Sequence, residues 1–164
     1  MKIDSMKSVI GLDLTKILVE QLTVYQRGDG WEYHCGGPVL HFQSVTDPAM
    51  SLYWDLSWTE TEDGDDQLLI EVTEDAESLS CFERVDWMEQ LVTVGSSIRL
   101  ENSSVQRAIA YGYKDDEKEF LTSIVFELEH EYVTCYSGPF FTMAVSSTIP
   151  ENMDSTLYSA GEFE

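Results

Sequence analysis

Positive charge is the scarce component of this sequence. Nine Lys and Arg stand against 31 Asp and Glu in 164 residues, a formal net charge of −22. A surface of that sign repels phosphate backbones and anionic lipid, so direct nucleic-acid and membrane binding are not expected. Long apolar runs are missing as well. No window approaches the roughly 18 apolar residues of a membrane span. Asp4, Ser5, Lys7 and Asp13 break up the opening residues, leaving no apolar core of signal-peptide length. Cysteine is sparse and odd in number: Cys35, Cys81 and Cys135, far apart. A disulfide scaffold wants a denser, even set, so the expectation is three free thiols, buried as small hydrophobes, in a reducing cytoplasm.

Signatures of catalysis and metal binding are absent too. His34, Cys35, His41 and Cys135 could be imagined as a zinc set, but there is no CxxC, HxxxH or HExxH, and the ligand spacing of a structural zinc site is missing. Asp63-Gly64-Asp65-Asp66 has its glycine in the wrong register for a calcium loop. The serine pairs at 96–97, 103–104 and 146–147 lack a GxSxG elbow, and the glycines at 28, 30, 36 and 37 lack the lysine and helix start of a phosphate loop. Glu127, Glu129 and Glu131 alternate and would share one side of a strand at about 7 Å spacing, which reads as the wet face of a sheet. The expectation is no catalytic residue, no metal and no cofactor: a protein that is not an enzyme.

What the sequence does have is strand pattern. Hydrophobic residues make up 43% and aromatic residues 12%, enough for a globular core, and the length favours one domain. Leu22–Gln26 and Trp31–Cys35 flank a Gly-Asp-Gly connector and predict a hairpin. Strands are expected at Val39–Gln43, Leu52–Trp58, Gln67–Thr73, Ser97–Glu101, Val105–Tyr113, Phe120–Glu129, Tyr132–Ser137 and Phe140–Val145, with a turn near His130. Glu60–Asp66 should be a solvated acidic loop. Two helices compete with extended readings. One follows Asp13 along Leu14, Ile17, Leu18, Leu22 and Tyr25. The other is capped by Ser80 and Glu83 and runs along Phe82, Val85, Met88, Glu89 and Val92.

The predicted fold is therefore α+β, β-dominated, of antiparallel meanders with one or two short helices. One globular domain is expected over residues 1–145, followed by a polar, partly loose tail at 146–164. The pattern strand, charged turn, strand, Gly break, strand occurs at 18–44 and again at 105–145. This leaves open two similar halves, 9–77 and 84–145, and either one sheet or two.

Charge and aromatics suggest where function resides. Between Arg27 and Arg84 there are 14 acids and no Lys or Arg, and after Lys118 there are eight more acids and again no cation. Tyr53, Trp54 and Trp58 lie just before the densest acids, with Tyr53 on the strand face opposite the two tryptophans. Aromatics anchor protein interfaces while charge steers association. The candidate partner-binding residues are accordingly Trp54, Trp58, Glu60, Glu62, Asp63, Asp65 and Asp66. With its two cation-free stretches, the Leu22–Gln43 meander and the alternating Phe120–Val145 segment, the chain resembles the small acidic immunity proteins of bacterial polymorphic toxin systems. The resemblance implies a cytosolic protein that binds one cognate toxin, often a basic nuclease, and blocks its active site. It carries over no individual residue. On this reading the chain is a non-catalytic inhibitor of a basic protein partner. The alternatives are a DNA-mimic inhibitor of a DNA-binding enzyme, and a small β-rich ligand-binding module or enzyme.

Overall fold

In the computed structural model, residues 3–28, 30–88, 90–100, 103–116 and 118–161 are described. Asp29, Glu89, Glu101 and tail residues 162–164 fall outside them, and with them the parts of the hairpin, helix, strand and tail expectations that rest there. A short helix α1 (Ile3–Lys7) precedes a chain built almost wholly of antiparallel strands.

Strands β1 (Asp13–Val19), β4 (Val39–Gln43), β5 (Ser51–Glu60), β6 (Asp66–Thr73) and β9 (Ser96–Arg99) form a five-stranded sheet ordered β6-β5-β4-β1-β9. Strands β2 (Leu22–Arg27), β3 (Gly30–Cys35), β10 (Arg107–Asp115), β11 (Lys118–Glu127), β12 (Tyr132–Tyr136), β13 (Phe141–Ser146) and β14 (Ser155–Gly161) form a seven-stranded sheet ordered β14-β10-β11-β12-β13-β3-β2. A separate hairpin, β7 (Phe82–Val85) with β8 (Gln90–Thr93), completes the set.

The alternating side chains explain how the sheets pack. Leu40, Phe42, Trp54, Leu56 and Leu68 from the first sheet meet Ile124, Phe126, Val133, Phe141 and Met143 from the second in one continuous core. Opposite faces of the same strands stay wet or take a second layer. Tyr53, with Leu18 and Val39, points away from that core into a smaller cluster roofed by Leu79 and Cys81, and the Phe82 ring meets Tyr53 edge-on at 5.6 Å. Tyr53 and Trp54 thus lie on opposite faces, as alternation requires.

Four expectations are corrected. No helix starts at Asp13: residues 13–19 are strand β1. A bulge between Leu14 and Lys16 lets Leu14 and Ile17 both reach the main core, while Leu18 feeds the second cluster. A strand buried on both faces with a bulge reproduces helical spacing. The helix expected from Ser80 to Val92 is the β7–β8 hairpin. Cys81 and Phe82 dock on Tyr53, and the Val94 N–H continues the ladder onto the Cys81 carbonyl at 2.8 Å, so tertiary pairing decided an ambiguous pattern. The strands of the possible halves 9–77 and 84–145 are interleaved between the two sheets. Gly36-Gly37-Pro38 carries the chain from one sheet to the other, β2–β3 pairs with β13, and β9 pairs with β1. At Gly37 a Cβ would stand 2.4 Å from the Leu56 carbonyl oxygen, so only glycine permits this crossing. Finally, residues 155–161 of the expected tail are β14, paired with β10 from Gly112 to Arg107, with Ala160 fully buried.

The three cysteines are free and buried. Burial pushes the Cys35 thiol up to about 12 and the Cys81 thiol to about 11, and raises Cys135 as well. Thiolates are the reactive form, so a thiol-specific disulfide reagent at pH 8 should leave the native protein unlabelled and modify all three cysteines in denaturant. Labelling of the native protein within minutes would contradict this burial. Ending the chain at Asp154 should remove one of the two partners of β10 and the apolar contacts of Leu157, Tyr158 and Ala160. The expected loss is at least about 3 kcal/mol, on a scale of about 1.5–3 kcal/mol per large buried side chain, read as a lower urea midpoint.

Candidate functional site

Two hairpin tips from opposite sheets meet at one end of the sandwich. The β5–β6 tip spans residues 61–65 and is closed by Thr61. Its N–H donates to the Asp65 carbonyl at 2.8 Å, its carbonyl accepts from Gly64 at 3.0 Å, and its hydroxyl accepts from the Asp65 N–H at 3.1 Å. Gly64, at φ 87°, supplies the left-handed residue of the turn. In the β10–β11 tip Asp116 takes the left-handed conformation, φ 52°, which Asp tolerates better than most residues. The tips are tied together below the rim. The Tyr113 hydroxyl donates to the Asp65 carboxylate at 3.0 Å, and Ser137, just past the end of β12, adds a link between the sheets with its hydroxyl 3.3 Å from the Asp66 carbonyl.

Between them lies a groove of about 840 Å³, lined by Glu60, Thr61, Glu62, Asp63 and Gln67 on one side and Asp115, Asp116, Lys118 and Phe120 on the other. Phe120 stacks on Tyr113 with centroids 5.1 Å apart and an interplanar angle of 15°, giving the groove an aromatic wall. Among the described residues, Lys118 is the one cation of the lining. The nearby Lys114 is engaged by Glu119 at 2.7 Å, and that bond raises Lys114 and lowers Glu119 from their ordinary values. None of the described ion pairs includes Glu60, Glu62, Asp63, Asp115 or Asp116. The arrangement is a concave anionic surface with one aromatic face, suited to cationic side chains.

The sequence-predicted residues divide. Glu60, Glu62 and Asp63 line the groove. Asp65 and Asp66 turn into a neighbouring hollow with Tyr113, Thr122 and Asp154. Trp58 is half-buried and packs against the main core. Trp54 is corrected: it is fully buried in ring contact with Phe42 and Phe126, so it holds the sheets together and cannot touch a partner. The sequence reading missed Asp115, Asp116, Lys118 and Phe120. The charged turn at 115–119 was visible, but nothing local announces that it faces Glu60–Asp63. The exposed rings are also elsewhere than expected: Trp87 is 84% exposed and Phe140 76%.

The glutamate row is broken. β11 ends at Glu127, and the Leu128 N–H donates to the Glu131 carbonyl at 2.8 Å, closing the turn expected near His130. Glu127 binds Arg107 at 2.7 Å, Glu129 is exposed, and burial holds the Glu131 carboxyl above its usual range. The imagined zinc ligands are also dispersed. His34 sits on β3 against Glu32 at 2.6 Å, while His41 sits in the other sheet between the Thr15 hydroxyl at 3.0 Å and the Ser51 hydroxyl at 3.2 Å. Among the described residues no three His, Cys, Asp or Glu side chains are grouped to hold a metal ion, and no helix is long and apolar enough to cross a membrane.

His41 stacks on Tyr53 with centroids 4.6 Å apart, and burial, with Lys16 beside it, lowers its pKa below the ordinary 6.5. The unfolded chain therefore takes up this proton first as pH falls. The stability that neutral His41 contributes is present above pH ~6.5 and is lost as pH drops from there through the folded-state value. Urea midpoints should decline between pH 7.5 and 5.5, and His41→Gln should reduce that decline. An identical decline in the variant would remove His41 as its source.

Compared with protein-family models, with curated proteins and with solved structures, the chain matches none.

Proposed function

We propose that this protein is a non-catalytic inhibitor that binds and neutralises a basic protein partner, a cognate bacterial toxin, in the cytoplasm. The observation that carries the reading is the groove between the two hairpin tips. Acids from two distant segments converge there, and none of the described ion pairs includes them. Folding gains nothing from that convergence, because unpaired like charges repel one another and destabilise the compact state. A cationic partner turns the repulsion into attraction. It also explains the net charge of −22, which steers encounter over distances longer than any contact. Phe120 and Tyr113 supply what charge does not, a rigid apolar wall on which an Arg or Lys stem can stack.

The contact surface on this reading is Glu60, Glu62, Asp63, Asp115 and Phe120, with Asp65 and Asp66 holding the rim. Trp54 drops out, and Trp58 acts only by supporting the base of β5. The partner's basic loop enters the groove side chain first, and Lys118 limits how much positive charge the site accepts.

The test is charge reversal at the rim, Glu62→Lys with Asp63→Lys and Asp115→Lys. Asp116 is spared because Lys at φ 52° would strain the turn. Association with a candidate basic toxin domain should slow by roughly 10- to 100-fold at low salt, the scale of electrostatic steering. The variant's rate should also depend less steeply on salt. Lys118→Glu should shift the rate the other way. An unchanged rate and salt slope in a folded triple variant would show that the groove is not the binding surface.

A further inference from the structure

The two main sheets leave four edges, formed by β6, β9, β14 and β2. Unpaired edges template further pairing, and proteins usually guard them with charge, brevity or a covering element. Three of the four are guarded. Helix α1 packs against β14. Strand β6 carries Asp66 and Glu71, and β9 has only four residues, ending on Arg99. Strand β2, LTVYQR, has six residues, no acid and no proline, and Thr23–Arg27 are exposed. In a chain where nearly one residue in five is acidic, the sequence from Gln21 to Gly28 contains no acid.

The hairpin geometry shows what this edge presents. Arg27 and Gly30 close a two-residue connection in which Gly28 has φ 60°, the sign that a type I′ turn requires. Arg27, Tyr25 and Thr23 are then the residues that exchange hydrogen bonds with β3. Leu22, Val24 and Gln26 direct their N–H and C=O groups outward. Side chains of these three share a face with Tyr33 and Trp31, and on that face Val24 and Trp31 are 46% and 47% exposed. On the other face the charges are settled internally. Glu32 is held by Arg27 at 3.5 Å and His34 at 2.6 Å, and Arg27 lies over the Tyr25 ring at 5.7 Å.

We infer that β2 pairs antiparallel with β2 of a second copy of this chain, about a two-fold axis at Val24, joining two seven-stranded sheets edge to edge. The outward groups at 22, 24 and 26 are symmetric about Val24, so the strand complements itself. Val24 faces the second copy's Val24, Leu22 its Gln26, and Thr23 its Tyr25, an aromatic–β-branched pair of the favourable kind. No like charges oppose one another in this register. A basic partner has no reason to choose this edge, which offers no carboxylate between Gln21 and Gly28 and ends on a cation. A second copy, repelled by the acids over the rest of the surface, meets none on this strand.

The inference is independent of the groove and has the opposite salt dependence. Sedimentation velocity over a range of protein and salt concentrations should show a monomer–dimer equilibrium that tightens as salt screens the repulsion between two −22 chains. Val24→Lys keeps every β2–β3 hydrogen bond but places two ammonium groups across the axis, and should abolish the dimer. In the wild type, exchange of the Leu22, Val24 and Gln26 amides should slow with rising protein concentration, while Thr23, Tyr25 and Arg27 stay protected throughout. A monomer at every concentration and salt would overturn the proposal. So would a dimer that weakens with salt, one that survives Val24→Lys, or a Val24 amide indifferent to protein concentration.

Discussion

The contact among Phe42, Trp54 and Phe126 is the joint on which the rest of the structure turns. The three ring centroids lie 5.5 Å apart in each pairing, two rings coming from one sheet and one from the other. Such pairs add about 0.5–1.5 kcal/mol beyond the area they bury. Their larger consequence is geometric. Glu60 stands six residues along β5 from Trp54, and Phe120 stands six residues along β11 from Phe126. At about 3.3 Å per residue both strands reach roughly 20 Å beyond the joint. Two arms of equal length bring Glu60 and Phe120 to opposite walls of the same groove. Trp54 thus matters to the site from a distance, as the fixed point that sets where the rim falls.

The fold tolerates its charge by distributing it unevenly. The described Arg and Lys ion pairs, Arg27–Glu32, Arg84–Glu77, Arg107–Glu127 and Lys114–Glu119, lie on strands or their flanks, where they trim repulsion along a ladder. Where no cation is at hand the cost is visible. Asp55 and Glu71 face each other across β5 and β6, and burial, then Glu71, hold the Asp55 carboxyl above its usual range. Acid on this surface is a burden on folding that the two-sheet core has to offset. Its concentration at one rim is therefore more informative than its total amount.

Alternation made β13 legible, because its buried and half-buried residues keep a single period, while β4, β5 and β12 were legible from their β-branched and aromatic composition. Legibility failed where helical and extended spacings both fitted the apolar residues. In β1 the bulge at Leu14–Lys16 and burial on both faces produced a false helical spacing. In β7–β8 a few apolar residues fitted either period, and only contact with Tyr53 decided between them. β14 was hidden by its own composition, since an edge strand with one neighbour needs few apolar residues. Half of the groove was legible, because acids next to a turn are a local signal. The other half, Asp115 to Phe120, depends on which hairpin lies across the sandwich, and that is written in core packing rather than in any short segment.

The crossing at Gly36-Gly37-Pro38 also governs when the structure can assemble. It inserts β2–β3 between β1 and β4, yet the next neighbour of that hairpin in its sheet is β13, with Cys35 and Phe141 separated by 106 residues. A hairpin alone is marginal in water. During synthesis β2–β3 therefore waits, while β4, β5 and β6 emerge and pair in order, until β10 to β13 have been made and provide the sheet it joins. Long-range closures of this kind are slow, and the waiting segment is the one most open to other chains. The acids scattered through the intervening residues then have a role in time as well as in space. They keep neighbouring nascent chains apart over the interval in which an uncovered strand edge is most exposed.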